Sequence, residues 1–325
     1  SGGASADAGN LSACNTIGLR LSGEDATGTM LLNNWIGVDV TGAAALSNGG
    51  AGVLVQDGAS SNTIGMTGQG NLISGNNGTG VHLVDFDTSG NLVEDNLIGT
   101  DSNGNMPLGN DGAGVRVSGG AHDTTIRNNV IADSNGAGVE LEGLGFAQVG
   151  NMSGQVEIPG GVGNMAGQFE IPGDILVNQI TIGFGNTVTG NAIGTDRTGT
   201  LDLGNAGAGV LLTDGASDNT IGAVGQGNLI AHNGSDGVTV DSTAGVSNSI
   251  RGNAIFSNAG LGIDLGSNGV TANDMQDPDA EFDPIFETPG FANTLQNFPT
   301  ITSVEVGSTV VSGTLNSTPL STFTI

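Results

Sequence analysis

Lysine and tyrosine are missing from this chain of 325 residues, and cysteine and tryptophan each occur once. The five basic residues are all arginine, set against 32 acidic ones, for a formal charge of -27. Such a surface repels phosphate backbones, so no nucleic acid is expected as a partner. Anionic glycans and anionic membranes are repelled too unless divalent cations bridge the two, whereas cations are drawn in. A single cysteine, Cys14, allows no disulfide within the chain and decides nothing about compartment. It is expected as a small buried hydrophobe, with an intermolecular bridge as the alternative. No apolar run reaches the ~20 residues that span a bilayer, so no membrane insertion is expected. The opening SGGASADAGN has no Met, basic region or hydrophobic stretch, which points to a processed part of a longer, secreted precursor. Proline is scarce and no Gly-X-Y period accompanies the 60 glycines, which excludes collagen.

What is present is a repeat. The strand motif Gly-aliphatic-X-aliphatic occurs eight times: GLRL at Gly18, GVLV at Gly52, GVHL at Gly80, GVRV at Gly114, GVEL at Gly138, GVLL at Gly209, GVTV at Gly237 and GIDL at Gly262. From Leu19 to Ile263 the spacings between second residues are 34, 28, 34, 24, 71, 28 and 25, each about one solenoid coil except the fifth. Within most coils two further strands open on asparagine. One set begins at Asn62, Asn91, Asn186, Asn219 and Asn248, the other at Asn34, Asn71, Asn96, Asn129, Asn191, Asn228 and Asn253. A third series, Asn48, Asn76, Asn110, Asn205, Asn233 and Asn258, stands five residues ahead of the aliphatic residue.

The pattern predicts an all-β fold, a right-handed parallel β-helix (β-solenoid) with three strands per coil and asparagine columns at the corners. Asparagine and glycine tolerate the left-handed backbone that a sharp corner needs, and stacked amides can bond from rung to rung. Period-two alternation points Val53 and Val55 inward and Leu54 outward, and the same is expected in every coil. At ~4.8 Å per rung, about eight coils make a rod ~38 Å long.

A longer duplication overlies the coils. NWIGVDVTG at Asn34 returns as NLIGTDSNG at Asn96 and NAIGTDRTG at Asn191, each in a long coil, and so reads as an outward loop. GQGNLISGN at Gly68 returns as GQGNLIAHN at Gly225, 157 residues on, the same offset that separates Asn34 from Asn191. The long fifth interval carries a private tandem repeat, GNMSGQVEIPG at Gly150 and GNMAGQFEIPG at Gly163. The chain thus divides into a solenoid at 9–270, with an insertion at about 145–182, and a segment at 271–325. The insertion is either a decorative loop or a binding element. The last segment has an acidic loop and period-two strands such as TSVEVGSTVVSGTL, and reads as a cap or the start of a β-sandwich.

The N-X-I-X-X-N spacing in NLVEDNLIG at Asn91 and NSIRGNAIFSN at Asn248, with the IGTD loops, GLGIDLG at Gly260 and LQNFP at Leu295, resembles the Asn-rich parallel β-helix repeat proteins secreted by bacteria and archaea. The resemblance covers about residues 9 to 300. It implies the fold and an extracellular or cell-surface setting, while relatives range over polysaccharide lyases, hydrolases, adhesins and structural proteins.

For chemistry, the outward column of the Gly-aliphatic strand reads Arg20, Leu54, His82, Arg116, Glu140, Leu211, Thr239, Asp264. If the chain is an enzyme acting on polysaccharide, His82, Arg116, Glu140 and Glu142 would carry the acid, base and cation on successive rungs. The alternative is a surface ladder in which Arg116 pairs with Glu140. The paired aspartates, Gly-His-Gly and Arg-X-Lys that mark β-helix hydrolases are missing, and aromatics for stacking sugars are few. Asp274, Asp277, Asp279 and Asp283 offer hard oxygen ligands at short spacing, a candidate calcium site without the central glycine of an EF-hand. Asp57 and Asp85 fall on adjacent rungs, where unscreened carboxylates would repel. Asp101 in DSNGN looks like a calcium loop, but the copies lack ligands and a plain turn is expected. The expected role is therefore a non-catalytic structural or surface protein that assembles with copies of itself or other surface components. A glycan-acting enzyme and an adhesin binding through the insertion are the alternatives.

Overall fold

The computed structural model describes residues 9–144, 185–270, 300–304 and 311–314. The first two stretches wind into a parallel β-helix with three strands per coil. Two of its sheets hold eight strands and the third seven, and every coil-to-coil pairing is parallel between like strands. The first sheet runs from Leu11–Ser12 to Ala254–Phe256, the second from Leu19–Ser22 to Ile263–Gly266, and the third from Met30–Leu31 to Ser249–Ile250. Thr300–Val304 and Val311–Thr314 pair antiparallel as a separate two-stranded unit.

Aliphatic side chains from all three sheets meet in one continuous core. Ile36, Ile73, Ile98, Ile131, Ile193 and Ile230 come from the first sheet, and Val53, Val55, Val81 and Leu83 are among those of the second. The third adds Ile64, Val93, Ile126, Val188 and Ile221, and all of these side chains are fully buried. The leading glycine of every strand motif but the last, Gly262, stands where coils approach closely. A Cβ on Gly52 would lie 2.8 Å from the Gly80 carbonyl oxygen and 2.7 Å from Ile73 Cγ2. Register passes the insertion undisturbed, since Val139 pairs with Val210, Val130 with Ala192 and Thr125 with Thr187. The insertion itself lies outside the described residues.

The asparagine columns form ladders. In the first, each Nδ2 donates to the Oδ1 of the next coil at 2.9–3.0 Å from Asn10 through Asn34, Asn71, Asn96, Asn129, Asn191 and Asn228 to Asn253. Each of these Oδ1 atoms also accepts the preceding asparagine's backbone N–H, so one side chain ties two coils twice. The corner itself is made differently from the sequence expectation. At five corners the left-handed residue is the one before the ladder asparagine, Asn33 (φ 56), Asp95 (φ 57), Asn128 (φ 58), Gly190 (φ 65) and Gly252 (φ 71), while ahead of Asn71 and Asn228 it is Gly68 (φ 75) and Gly225 (φ 75). Turning and bonding are thus divided between neighbours, and short acidic side chains do part of the turning.

Two further expectations are corrected. Cys14 is exposed, because it sits in a left-handed turn (φ 60) at the first coil, where no earlier described coil covers it. The inward-outward alternation fails at Ile263–Gly266, where Ile263 is 44% exposed and Asp264 is buried. This strand stands last in its sheet, and the N–H of Gly269 folds over onto Asp264 Oδ2.

Candidate functional site

The register of the column is as expected, Arg20, Leu54, His82, Arg116, Glu140, Leu211, Thr239 and Asp264 pairing in turn along the second sheet, but Thr239 and Asp264 are buried. Parallel pairing brings His82, Arg116 and Glu140 onto adjacent rungs, and Glu142 stands two positions along from Glu140 on its strand. Arg116 is held from both sides. Its Nη2 donates to Glu142 Oε2, and its Nε lies 3.5 Å from Glu140 Oε1 as a charge contact without a hydrogen bond. His82 Nε2 pairs instead with Ser118 Oγ at 2.8 Å.

Burial pushes the His82 imidazole below its ordinary value, and the Arg116 charge adds to the effect, so His82 is neutral at neutral pH. Burial pushes the Glu140 carboxyl up, against the attraction of Arg116 and with the repulsion of Glu142. The cluster therefore holds a base, an acid whose carboxyl burial holds above its ordinary value, and a cation already engaged by two carboxylates. Replacing Arg116 by alanine would leave the glutamates facing each other. The expected loss is about 1 kcal/mol, discounted because the guanidinium is partly solvated, and urea unfolding would read it.

The acidic pair Asp57 and Asp85 avoids the expected repulsion. Asp85 Oδ2 accepts the Asp57 backbone N–H at 3.0 Å, while the Asp57 carboxylate turns to the Ser22 hydroxyl and Gln56 Nε2. These bonds, the Ser22 hydroxyl foremost, hold Asp57 below the ordinary aspartate range. Asp101 builds the plain turn: its Oδ1 accepts the N–H groups of Asn105 and Met106. Asp39 and Asp196 do the same in their copies, toward Ala43 and Ala44 and toward Thr200 and Leu201. All three carboxyls are depressed, at Asp101 and Asp196 despite the opposing cost of burial, and at Asp39 chiefly through the Thr41 hydroxyl.

The three loops differ in how closely they approach one another. The first two loops touch, Ser102 N–H donating to Gly42 O, but the second and third leave a cleft of about 360 Å³. Leu97 and Val130 are neighbours in the first sheet and line it, with Asn103 and Asn105 from one loop and Thr200 and Leu201 from the other. Arg197 at its edge is tied to Asp95 and to the Asn128 carbonyl. The signal was available, because Leu97 and Val130 are apolar at positions where alternation predicts an outward side chain.

The aspartate run Asp274, Asp277, Asp279 and Asp283 lies outside the described residues. Among the described residues no helix is long and apolar enough to cross a membrane. Comparison with family models, curated proteins and solved structures gives no match, so the resemblance to Asn-rich β-helix repeat proteins rests on the coil motifs alone.

Proposed function

We propose that this chain is a non-catalytic structural element of a secreted or cell-surface protein, and that its stacks join end to end with copies of itself. The observation that carries the reading is where the scarce cations go. Four of the five arginines bridge acids on other coils: Arg20 to Asp57, Arg116 to Glu140 and Glu142, Arg127 to Glu94 and Arg197 to Asp95. With the asparagines spent in ladders as well, the polar side chains serve coil-to-coil cohesion. At the two ends, inward residues that are sealed elsewhere stay partly open, Leu19, Leu21 and Leu31 at one and Ile250, Ile255 and Leu265 at the other. Leu11–Ser12, Leu19–Ser22 and Met30–Leu31 have no described strand before them, so this edge suits another parallel rung, and a head-to-tail contact of this kind propagates rather than closes.

Light scattering across a concentration series, with reductant present to remove bridging through Cys14, should show growing species, and electron microscopy should show rods. Ile263→Lys places a charge on the exposed end and is expected to abolish growth while leaving the unfolding midpoint nearly unchanged. A species that stays monomeric at every concentration would refute assembly.

A second reading, a polysaccharide lyase or hydrolase, is favoured by one observation. Parallel pairing sets His82, Arg116 and Glu140 on adjacent rungs of one face, which puts a base, a cation and an acid side by side. It predicts product release from acidic glycans that collapses in Arg116→Ala. Inactivity across a broad glycan panel would remove it.

A further inference from the structure

We propose that Asn77 is a self-modification site, where the chain converts an asparagine to aspartate and isoaspartate without an enzyme. The sequence contains six Asn-Gly pairs, beginning at Asn48, Asn77, Asn103, Asn135, Asn233 and Asn268. In such a pair the glycine nitrogen attacks the asparagine Cγ, loses its proton, and the side-chain amide leaves as ammonia, closing a five-membered imide. Water then opens the ring at either carbonyl. One opening gives aspartate; the other gives isoaspartate, which carries an extra methylene in the main chain. One water enters and one ammonia leaves, so no other reactant is needed. Glycine suits the attack because it has no side chain to hinder ring closure.

The reaction asks for a side-chain amide that can rotate and a glycine N–H that is free, and the fold withholds one or both at five of the six pairs. Asn48 and Asn233 are buried in the third ladder, and the N–H groups of Gly49 and Gly234 donate to Asn15 O and Asn205 O. Asn103 donates its amide to Asp101 Oδ2, and Gly104 N–H donates to Asp101 O. Asn135 donates its amide to Asp111 Oδ1, and Gly136 N–H donates to Gly112 O. Gly269 N–H, next to Asn268, is held by Asp264 Oδ2.

Asn77 differs on both counts. It is exposed, and within the described residues neither its carboxamide nor the Gly78 N–H makes a hydrogen bond; only its backbone N–H is used, toward Asn48 O at 3.0 Å. Conversion adds a negative charge at an exposed corner. The isoaspartate product also lengthens the main chain between Asn76 of the third ladder and the strand Val81–Val84, loosening the coil from its neighbour. This inference stands independently of the function proposed above.

The test is peptide mapping by mass spectrometry, with isoaspartate detection, on the whole purified chain held at mildly alkaline pH. Because a closed pair must first break a hydrogen bond, Asn77 should react at least about fivefold faster than Asn103, Asn135 and Asn268, with Asn48 and Asn233 intact. In denaturant the six rates should converge, and Asn77→Gln should remove the first product alone. Equal rates at Asn77, Asn103 and Asn135 in the folded chain would overturn the proposal, as would an unchanged ranking in denaturant.

Discussion

Replacing Asn96 by alanine is expected to remove about 4 kcal/mol of stability. Asn96 is fully buried in the middle of the first ladder. Its Nδ2 donates to Ile64 O at 2.8 Å and to Asn129 Oδ1 at 2.9 Å, and its Oδ1 accepts both the N–H and the Nδ2 of Asn71. Alanine deletes all four bonds and strands the Asn71 N–H inside the stack. An ordinary hydrogen bond contributes about 1 kcal/mol net, while a buried group left unpaired costs about 1–3 kcal/mol. The exposed Asn77→Ala should change stability by less than about 0.5 kcal/mol, which separates ladder position from asparagine content. Urea unfolding followed by circular dichroism measures both. A loss below about 1 kcal/mol for Asn96→Ala would mean that the ladder is ornamental and that the aliphatic core alone holds the coils.

Much of this architecture was legible in the sequence because a solenoid reuses one solution many times. The Gly-aliphatic motif fixed a register that places His82, Arg116 and Glu140 on adjacent rungs, and that is how they pair. Periodicity reports what is common to all coils and is silent about what differs at an end or within a turn. Ile263 carries the motif yet lies partly open, since burial depends on a neighbour beyond it rather than on its own strand. Cys14 likewise took its expected burial from residue type, whereas its place in the first coil decides the matter. The division of corner work between Asp95 and Asn96 was invisible for another reason: both residue types tolerate left-handed backbone, and only the coordinates show which one adopts it. The chemistry of the His82 to Glu142 patch was readable as composition but not as commitment. That Arg116 is occupied by two glutamates follows from side-chain reach, which spacing does not encode.

The ladders also reveal where the stack is weakest, and restoring them there should produce the largest gain available to two substitutions. Thr124 occupies the second column between Asn91 and Asn186, and Ser134 the third between Asn110 and Asn205, so two of the three ladders break within one coil. Each keeps the backbone half of the pattern, its N–H donating to the Oδ1 of the next asparagine. Neither continues the side-chain half. Thr124 Oγ1 is buried with no partner, and Ser134 Oγ makes only a long 3.4 Å bond to Ala132 O. Asn91 and Asn110 accordingly donate backward to Ala59 O and Ile73 O, with no amide ahead to receive them. This coil lies between the blocks duplicated at an offset of 157 residues, so it acts as a seam between two better-bonded halves. Thr124→Asn with Ser134→Asn would complete both columns in corner geometry that neighbouring coils already use. The expected gain is about 3 kcal/mol, from two or so new bonds at each site less the entropy of fixing the amides. For a body of this size that raises the melting temperature by about 6–12 °C in calorimetry. Trp35, the only tryptophan, lies in the first half, so its fluorescence reports that half while circular dichroism reports both. A seam predicts that the two signals diverge in the native chain and coincide in the double variant. Coincident transitions before substitution, or no rise in melting temperature after it, would show that the aliphatic core carries cohesion across this coil without the amides.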